Sequence, residues 1–116
     1  MEISVVIKRK TLIVSLKGEL DHHSAKEVKD MIEEVIKNSG VENLIFDLSG
    51  LSFMDSSGIG VVVGRYKLIS SIGGRVAIIK GNSSIDRLLK MSGITKIIGT
   101  YDSIGSALDI IQEEIS

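Results

Sequence analysis

The sequence contains no cysteine, no proline and no tryptophan, and aromatic residues make up only 3% of its 116 positions. Without cysteine there are no disulfides, no thiolate nucleophiles and no Cys-ligated zinc, a usage that fits a reducing compartment. Scarce aromatics leave few platforms on which bases or sugars could stack. An excess of one charge is also missing. With 14 Lys and Arg against 15 Asp and Glu the formal charge is −1, so no basic surplus exists to neutralise nucleic-acid phosphates. No apolar run approaches the roughly 20 residues that a membrane helix needs. The charge-free stretch between Asp55 and Arg65 spans only Ser56 to Gly64. The opening Met1-Glu2-Ile3-Ser4 lacks the basic, then apolar, pattern of a secretory leader. The expectation is a cytoplasmic protein with no direct nucleic-acid or membrane partner.

What is present reads as ordinary globular usage, 43% hydrophobic and 25% charged, and predicts one domain over residues 1–116. Residues 3–8 and 11–17 are short runs rich in β-branched residues, separated by Arg9-Lys10, and predict an opening hairpin. Ser24 stands three residues before Glu27, a capping-box spacing, and apolar residues at 25, 28, 32, 35 and 36 predict a helix over 24–38 that stops at Asn38-Ser39-Gly40. Residues 43–48 form an apolar run of the kind buried in a parallel sheet. The stretch 56–73 is contested. Ile59-Gly60-Val61-Val62-Val63-Gly64 has strand-like composition, yet apolar residues at 59, 62, 63, 66 and 69 keep helical spacing, which decides for a helix. A strand over 75–79, a helix capped by Ser83, a strand over 96–98 and a helix capped by Asp102 with apolar residues at 104, 107, 108, 111 and 115 complete the order ββαβαβαβα. This is an α/β pattern, a small, mainly parallel sheet carrying helices, in which sites gather where strand C-termini meet helix N-termini.

Two such junctions stand out, Gly18 to Ser24 and Leu51 to Gly58. In the second, Asp55, Ser56 and Ser57 fall where the first turn of a helix leaves backbone N–H groups unpaired. One reading is simple capping. The other is an exposed serine that is modified, since a phosphate there would meet the positive end of the helix. The first junction carries Glu19, Asp21, His22 and His23. Adjacent histidines with no spaced third ligand are a poor zinc set. A Ser56 hydrolase using His22 or His23 with Asp21 or Asp47 lacks the nucleophile elbow, because Met54 stands where glycine is required. Gly58, Gly60 and Gly64 are not followed by the Gly-Lys-Ser/Thr of a phosphate loop.

Gly18-Glu19-Leu20-Asp21-His22-His23-Ser24, Leu51-Ser52-Phe53-Met54-Asp55-Ser56-Ser57-Gly58, Gly64-Arg65-Tyr66-Lys67 and Met91-Ser92-Gly93-Ile94 together resemble the STAS-domain anti-sigma factor antagonists, in the same order and through nearly the whole chain. The resemblance implies a STAS-like fold and a regulatory substrate rather than an enzyme, with no cofactor or metal. It implies phosphorylation of Ser56 by an anti-sigma factor that is itself a serine kinase, release of the partner on phosphorylation, and restoration by a serine phosphatase. The expected docking face comprises Glu19, Asp21, His22, Asp55, Ser56, Ser57, Gly58, Ile59 and Gly60, with Gly58 and Gly60 keeping bulk away from the incoming kinase. The protein is expected to be a monomer or weak dimer. Two competing readings are a STAS structural or sensory module and a nucleotide-binding hydrolase.

Overall fold

The computed structural model describes residues 1–113. Strand β1 (Glu2–Lys8) turns at Arg9-Lys10 into β2 (Thr11–Leu20), followed by α1 (Ala25–Ser39), β3 (Asn43–Met54), α2 (Ser56–Ser71), β4 (Val76–Ile79), α3 (Ser83–Met91), β5 (Gly99–Tyr101) and α4 (Ile104–Glu113). The five strands form one sheet in the order β1-β2-β3-β4-β5. β1 runs antiparallel to β2, and every other pairing is parallel. Sequence order and spatial order coincide because each parallel step is bridged by a helix and the single antiparallel step by a two-residue turn.

The helices divide between the two faces. Leu12, Val14, Leu16, Leu44, Phe46 and Leu48 point to the face covered by α1, α2 and α3, where they pack with Val28, Ile32, Val62, Ile69, Ile85 and Leu89. Ile13, Ile45, Ala77 and Ile79 point to the other face, under Ala107, Leu108 and Ile111 of α4. The unbroken apolar run Leu44-Ile45-Phe46 follows from this, since a central strand covered on both sides needs apolar residues in both phases of its pleat. Four of the periodic positions expected for the last helix lie within the described residues, while position 115 lies outside them.

The valine- and glycine-rich segment after Ser56 is a helix. Its buried residues Gly58, Val62, Arg65 and Ile69, with Val61, trace one stripe, so packing overrides the strand-like propensity of Val61-Val62-Val63. The expected strand at 96–98 is not formed. Gly93 closes α3 at φ 85 and Ile94–Lys96 make a single 3₁₀ turn. Ile94 and Ile98 are buried one turn apart, while Ile97 is exposed. The strand comes later, where Gly99, Thr100 and Tyr101 pair with Ala77, Ile78 and Ile79. Three caps also differ from expectation. Asn82, not Ser83, accepts the Ile85 N–H to start α3. Ser103 Oγ, not Asp102, accepts the Ser106 N–H, and Asp102 instead pairs with Lys80. Ser24 precedes α1 but caps no helix amide with its side chain.

Candidate functional site

β2 and β3 run further than the sequence predicts, and this builds the site. Beyond Leu48 the two strands stay paired through register shifts at Ser15/Lys17 and Gly18/Glu19, ending with Glu19 beside Phe53 and Leu20 beside Met54. Gly18 adopts φ +114 in the irregularity, a conformation side chains resist, and Ser52 Oγ donates to the Gly18 carbonyl at 3.1 Å. Leu20 and Met54 are buried, which anchors both strand ends at the same height. The two chemically interesting junctions thus leave the sheet side by side, and Asp55 N–H donates to the Leu20 carbonyl at 3.2 Å.

From Asp55 the chain enters α2. The Asp55 carboxylate accepts the Ser57 N–H at 2.8 Å, so the capping role belongs to Asp55. Ser56, the first helical residue, is exposed, and its hydroxyl has no hydrogen-bond partner among the described residues. Ser57 is half-buried and lines the groove between α1 and α2 with Ala25, Gly60 and Val61. Ile59 is half-buried against the core and Gly60 is exposed with open space where a Cβ would stand. Gly58 departs from expectation. It is buried, and a Cβ there would collide with Met54 Cγ and stand 3.1 Å from Leu20 Cδ2. Its missing side chain lets the helix settle onto the strand ends and leaves no space on the outer surface.

The other junction is a tight turn organised by Asp21. Its Oδ1 accepts from the N–H of His23 at 2.9 Å and of Ser24 at 3.1 Å, while its carbonyl accepts from Ala25 N–H at 2.8 Å. Ser24 Oγ donates to the Glu19 carbonyl at 2.8 Å and accepts the Asp21 N–H. The Ser24 backbone donor does most to hold the Asp21 carboxyl below its usual range, helped by His23 and opposed by desolvation. Glu19, His22 and His23 are exposed. The His22 and His23 rings lie 4.1 Å apart and tilted by 35°, on the surface and not around a common centre. Asp47 accepts from Ser15 at 3.1 Å and Ser49 at 2.6 Å. The two carboxylates considered for a hydrolytic triad are therefore engaged elsewhere, and neither orients a histidine ring.

Two features of this surface were not singled out from the sequence. Phe53 is 47% exposed at the end of β3, opposite Glu19. Strand alternation does not signal it, since Phe53 shares a phase with the buried Leu51; the register slips by one residue between Leu51 and Phe53, and that irregularity turns Phe53 out while Met54 goes in. The second is basic charge. The α1–α2 groove that Ser57 lines also carries Lys26, Lys29 and Arg65, so the acidic turn is flanked by cations. Lys26 forms an exposed pair with Asp30 at 2.5 Å, raising its own pKa and lowering that of Asp30. Arg65, buried on α2, has its Nε 3.2 Å from Glu33 Oε2 of α1, without the alignment of a hydrogen bond.

Among the described residues no helix is long and apolar enough to cross a membrane, and no cluster of three or more His, Asp or Glu residues could hold a metal.

A family model described as the STAS domain matches residues 2–107. The anti-sigma F factor antagonist of Paenibacillus polymyxa is 44% identical over 108 residues, covering 93% of this chain and 92% of the relative. That of Lysinibacillus sphaericus is 35% identical over 89 residues, covering 77% and 76%. Among solved structures, the anti-sigma factor antagonist SpoIIAA in its unphosphorylated form superposes with a TM-score of 0.85 at 27% identity, covering 97% of each chain. The Bacillus cell fate determinant SpoIIAA in the phosphorylated form gives 0.75 at 28% identity, covering 95% of this chain and 99% of that one.

Proposed function

Since the chain belongs to the STAS domain family, we propose that it is an anti-sigma factor antagonist switched by a phosphate on Ser56. The unphosphorylated protein docks on an anti-sigma factor that is a serine kinase and displaces the sigma factor. Bound there, Ser56 Oγ attacks the γ-phosphorus of the kinase's ATP. A new O–P bond forms, the bond to ADP breaks, and the hydroxyl proton leaves to a base on the kinase. A serine phosphatase hydrolyses the phosphoserine and returns the active form. The chain itself acts by binding, not by turnover, in the cytoplasm.

The observation that carries this reading is the division of labour at the start of α2. Asp55 satisfies the helix end, which leaves the Ser56 hydroxyl exposed and uncommitted. A phosphate of roughly −2 charge at this position meets the positive dipole end of the helix, so the fold tolerates it. Outside the helix it adds charge beside Asp55 and beside the turn of Asp21, which the Asp55–Leu20 hydrogen bond holds next door. The added charge and its hydration shell oppose re-docking, and about 3 kcal/mol of lost contact lowers affinity more than a hundredfold. A related protein solved in both phosphorylation states, each superposing on this chain, supports a switch in surface chemistry and not in fold.

The docking face comprises Glu19, Asp21, His22, Asp55, Ser56, Ser57, Ile59 and Gly60, with Phe53 added from the structure and Gly58 as its buried support. Incubation with the partner kinase and ATP, followed by phosphopeptide mapping, is expected to place a single phosphate on Ser56. A phosphate on Ser57, or none, overturns the assignment.

A further inference from the structure

The free edge of the sheet carries a surface that the switch does not use. Among the described residues β1 is paired only to β2, and its register from Glu2↔Lys17 to Lys8↔Thr11 is unbroken by any bulge. Natural edge strands are usually blunted by proline, a bulge or a central charge. Here the middle of the strand is Ser4-Val5-Val6-Ile7, with Val5, Val6 and Ile7 exposed by 41%, 50% and 46%. The two-residue turn at Arg9-Lys10, with positive φ at Arg9, makes Lys8 and Thr11 the closing hydrogen-bonded pair. By alternation Glu2, Ser4, Val6 and Lys8 bond inward to β2, and the N–H and C=O groups of Ile3, Val5 and Ile7 point outward.

The strand is also complementary to itself. Laid antiparallel against a copy and centred on Val5, it sets Val5 against Val5, Ile3 against Ile7, Ser4 against Val6, and Glu2 against Lys8 at both ends. In that register all the outward backbone groups of Ile3, Val5 and Ile7 fall into exchanging pairs, and each terminal acid meets a base. A shift by two residues, the smallest that keeps the same side chains on the same face, breaks both charge pairs. Glu2 is available for this, since its contact with Lys17 spans 3.9 Å between two highly exposed side chains.

We propose that two copies of this chain associate through antiparallel β1–β1 pairing centred on Val5, making one continuous ten-stranded sheet across a two-fold axis. β2 separates β1 from β3, so the Ser56 surface of each copy stays outside the contact and the dimer presents two docking sites. The inference does not depend on the proposed switch.

Sedimentation equilibrium of the full chain from about 10 µM to about 1 mM is expected to show a reversible monomer–dimer equilibrium. Val5→Lys sets two ammonium groups against each other at the axis and should weaken the dimer at least about tenfold, with the circular dichroism unchanged. Glu2→Lys should also weaken it, and Glu2→Lys combined with Lys8→Glu should restore it. This charge exchange decides the matter even if Val5→Lys disturbs the fold. In the wild type, hydrogen exchange at the Val5 amide should slow as concentration rises. A chain that stays monomeric across the range, or a dimer indifferent to both Val5→Lys and Glu2→Lys, overturns the proposal.

Discussion

The backbone N–H of Asp55 donates to the carbonyl of Leu20 at 3.2 Å, between residues 35 positions apart in sequence. Through this bond the acidic turn after β2 and the start of α2 form one surface. The contact is made by backbone, so replacing Asp55 by any residue but proline leaves the donor in place and keeps the site's geometry separate from its chemistry.

Replacing the hydroxyl tests the switch directly. Ser56→Ala should fold normally, bind the anti-sigma factor about as tightly as wild type and accept no phosphate. Ser56→Asp should bind at least about tenfold more weakly by titration calorimetry, because part of the phosphate's charge is permanently in place. Equal affinities for the Asp variant and the wild type would remove charge as the cause of release. Ser57→Ala should still be phosphorylated.

Asp55 should be a stability residue as well as a surface one. Asp55→Ala removes the acceptor for Ser57 N–H and should cost about 1 kcal/mol in urea unfolding, with Asp55→Asn or Asp55→Ser recovering most of it. Loss of phosphorylation in Asp55→Ala with no loss of stability would show that the carboxylate serves the kinase and not the helix.

The two glycines at the start of α2 should respond oppositely. Gly58→Ala drives a methyl into Met54 and should destabilise the fold by about 1 to 3 kcal/mol, with partial rescue by Met54→Ala. Gly60→Ala meets nothing within 4 Å and should stabilise the helix by up to about 1 kcal/mol, while its methyl stands on the docking face and lowers affinity. A Gly60→Ala variant that binds normally would place the kinase elsewhere on the helix.

Asp21 gives a pH signature. Its folded pKa lies below the usual 3.8, so the stabilisation from its bonds to Ser24 and His23 is fully present above that value. It is lost as the pH falls from about 3.8 through the depressed folded value. Asp21→Asn keeps an oxygen acceptor without the charge, so its stability deficit relative to wild type should shrink in that acid window. A deficit constant from pH 6 to pH 2 would remove the carboxylate charge from the turn. Asp21→Lys should perturb the start of α1 as well as docking, since it deletes the acceptor altogether.

Phe53 should behave as a docking anchor. Phe53→Ala exposes no core and should leave the melting temperature nearly unchanged, yet weaken binding to the anti-sigma factor by more than about fivefold. An unchanged affinity would confine the interface to the helix and the acidic turn.

Where side chains signal directly, the sequence is readable. Short runs rich in β-branched residues mark β1 and β2, and the 25, 28, 32, 35, 36 spacing marks α1. In the segment after Ser56, a spacing sustained to Ile69 outweighs a local run of valines. Where the outcome depends on competition between neighbouring groups, it is not. Ser24, Ser83 and Asp102 are chemically good caps, but the position that captures a free amide is set by the angle at which the chain enters the helix. That angle is decided by packing, and it favours the Asp21 turn before α1, Asn82 for α3 and Ser103 for α4. The misplaced last strand has the same origin: Ile97 and Ile98 read as strand residues until Ile94 and Ile98 are buried together on one turn.

The residue types, their order along the chain and the alternation of strand and helix are properties of local chemistry, and the sequence alone determines them. It also determines that a run of Asp and Ser falls at a helix start. Which of those groups is spent on the helix, and which is left facing water, belongs to the tertiary structure. Gly58 shows the difference most plainly: in sequence it is one small residue beside the serines, and only the close approach of α2 to Leu20 and Met54 turns it inward. Burial and close approach depend on contacts between residues far apart in the chain, and no local pattern encodes those distances.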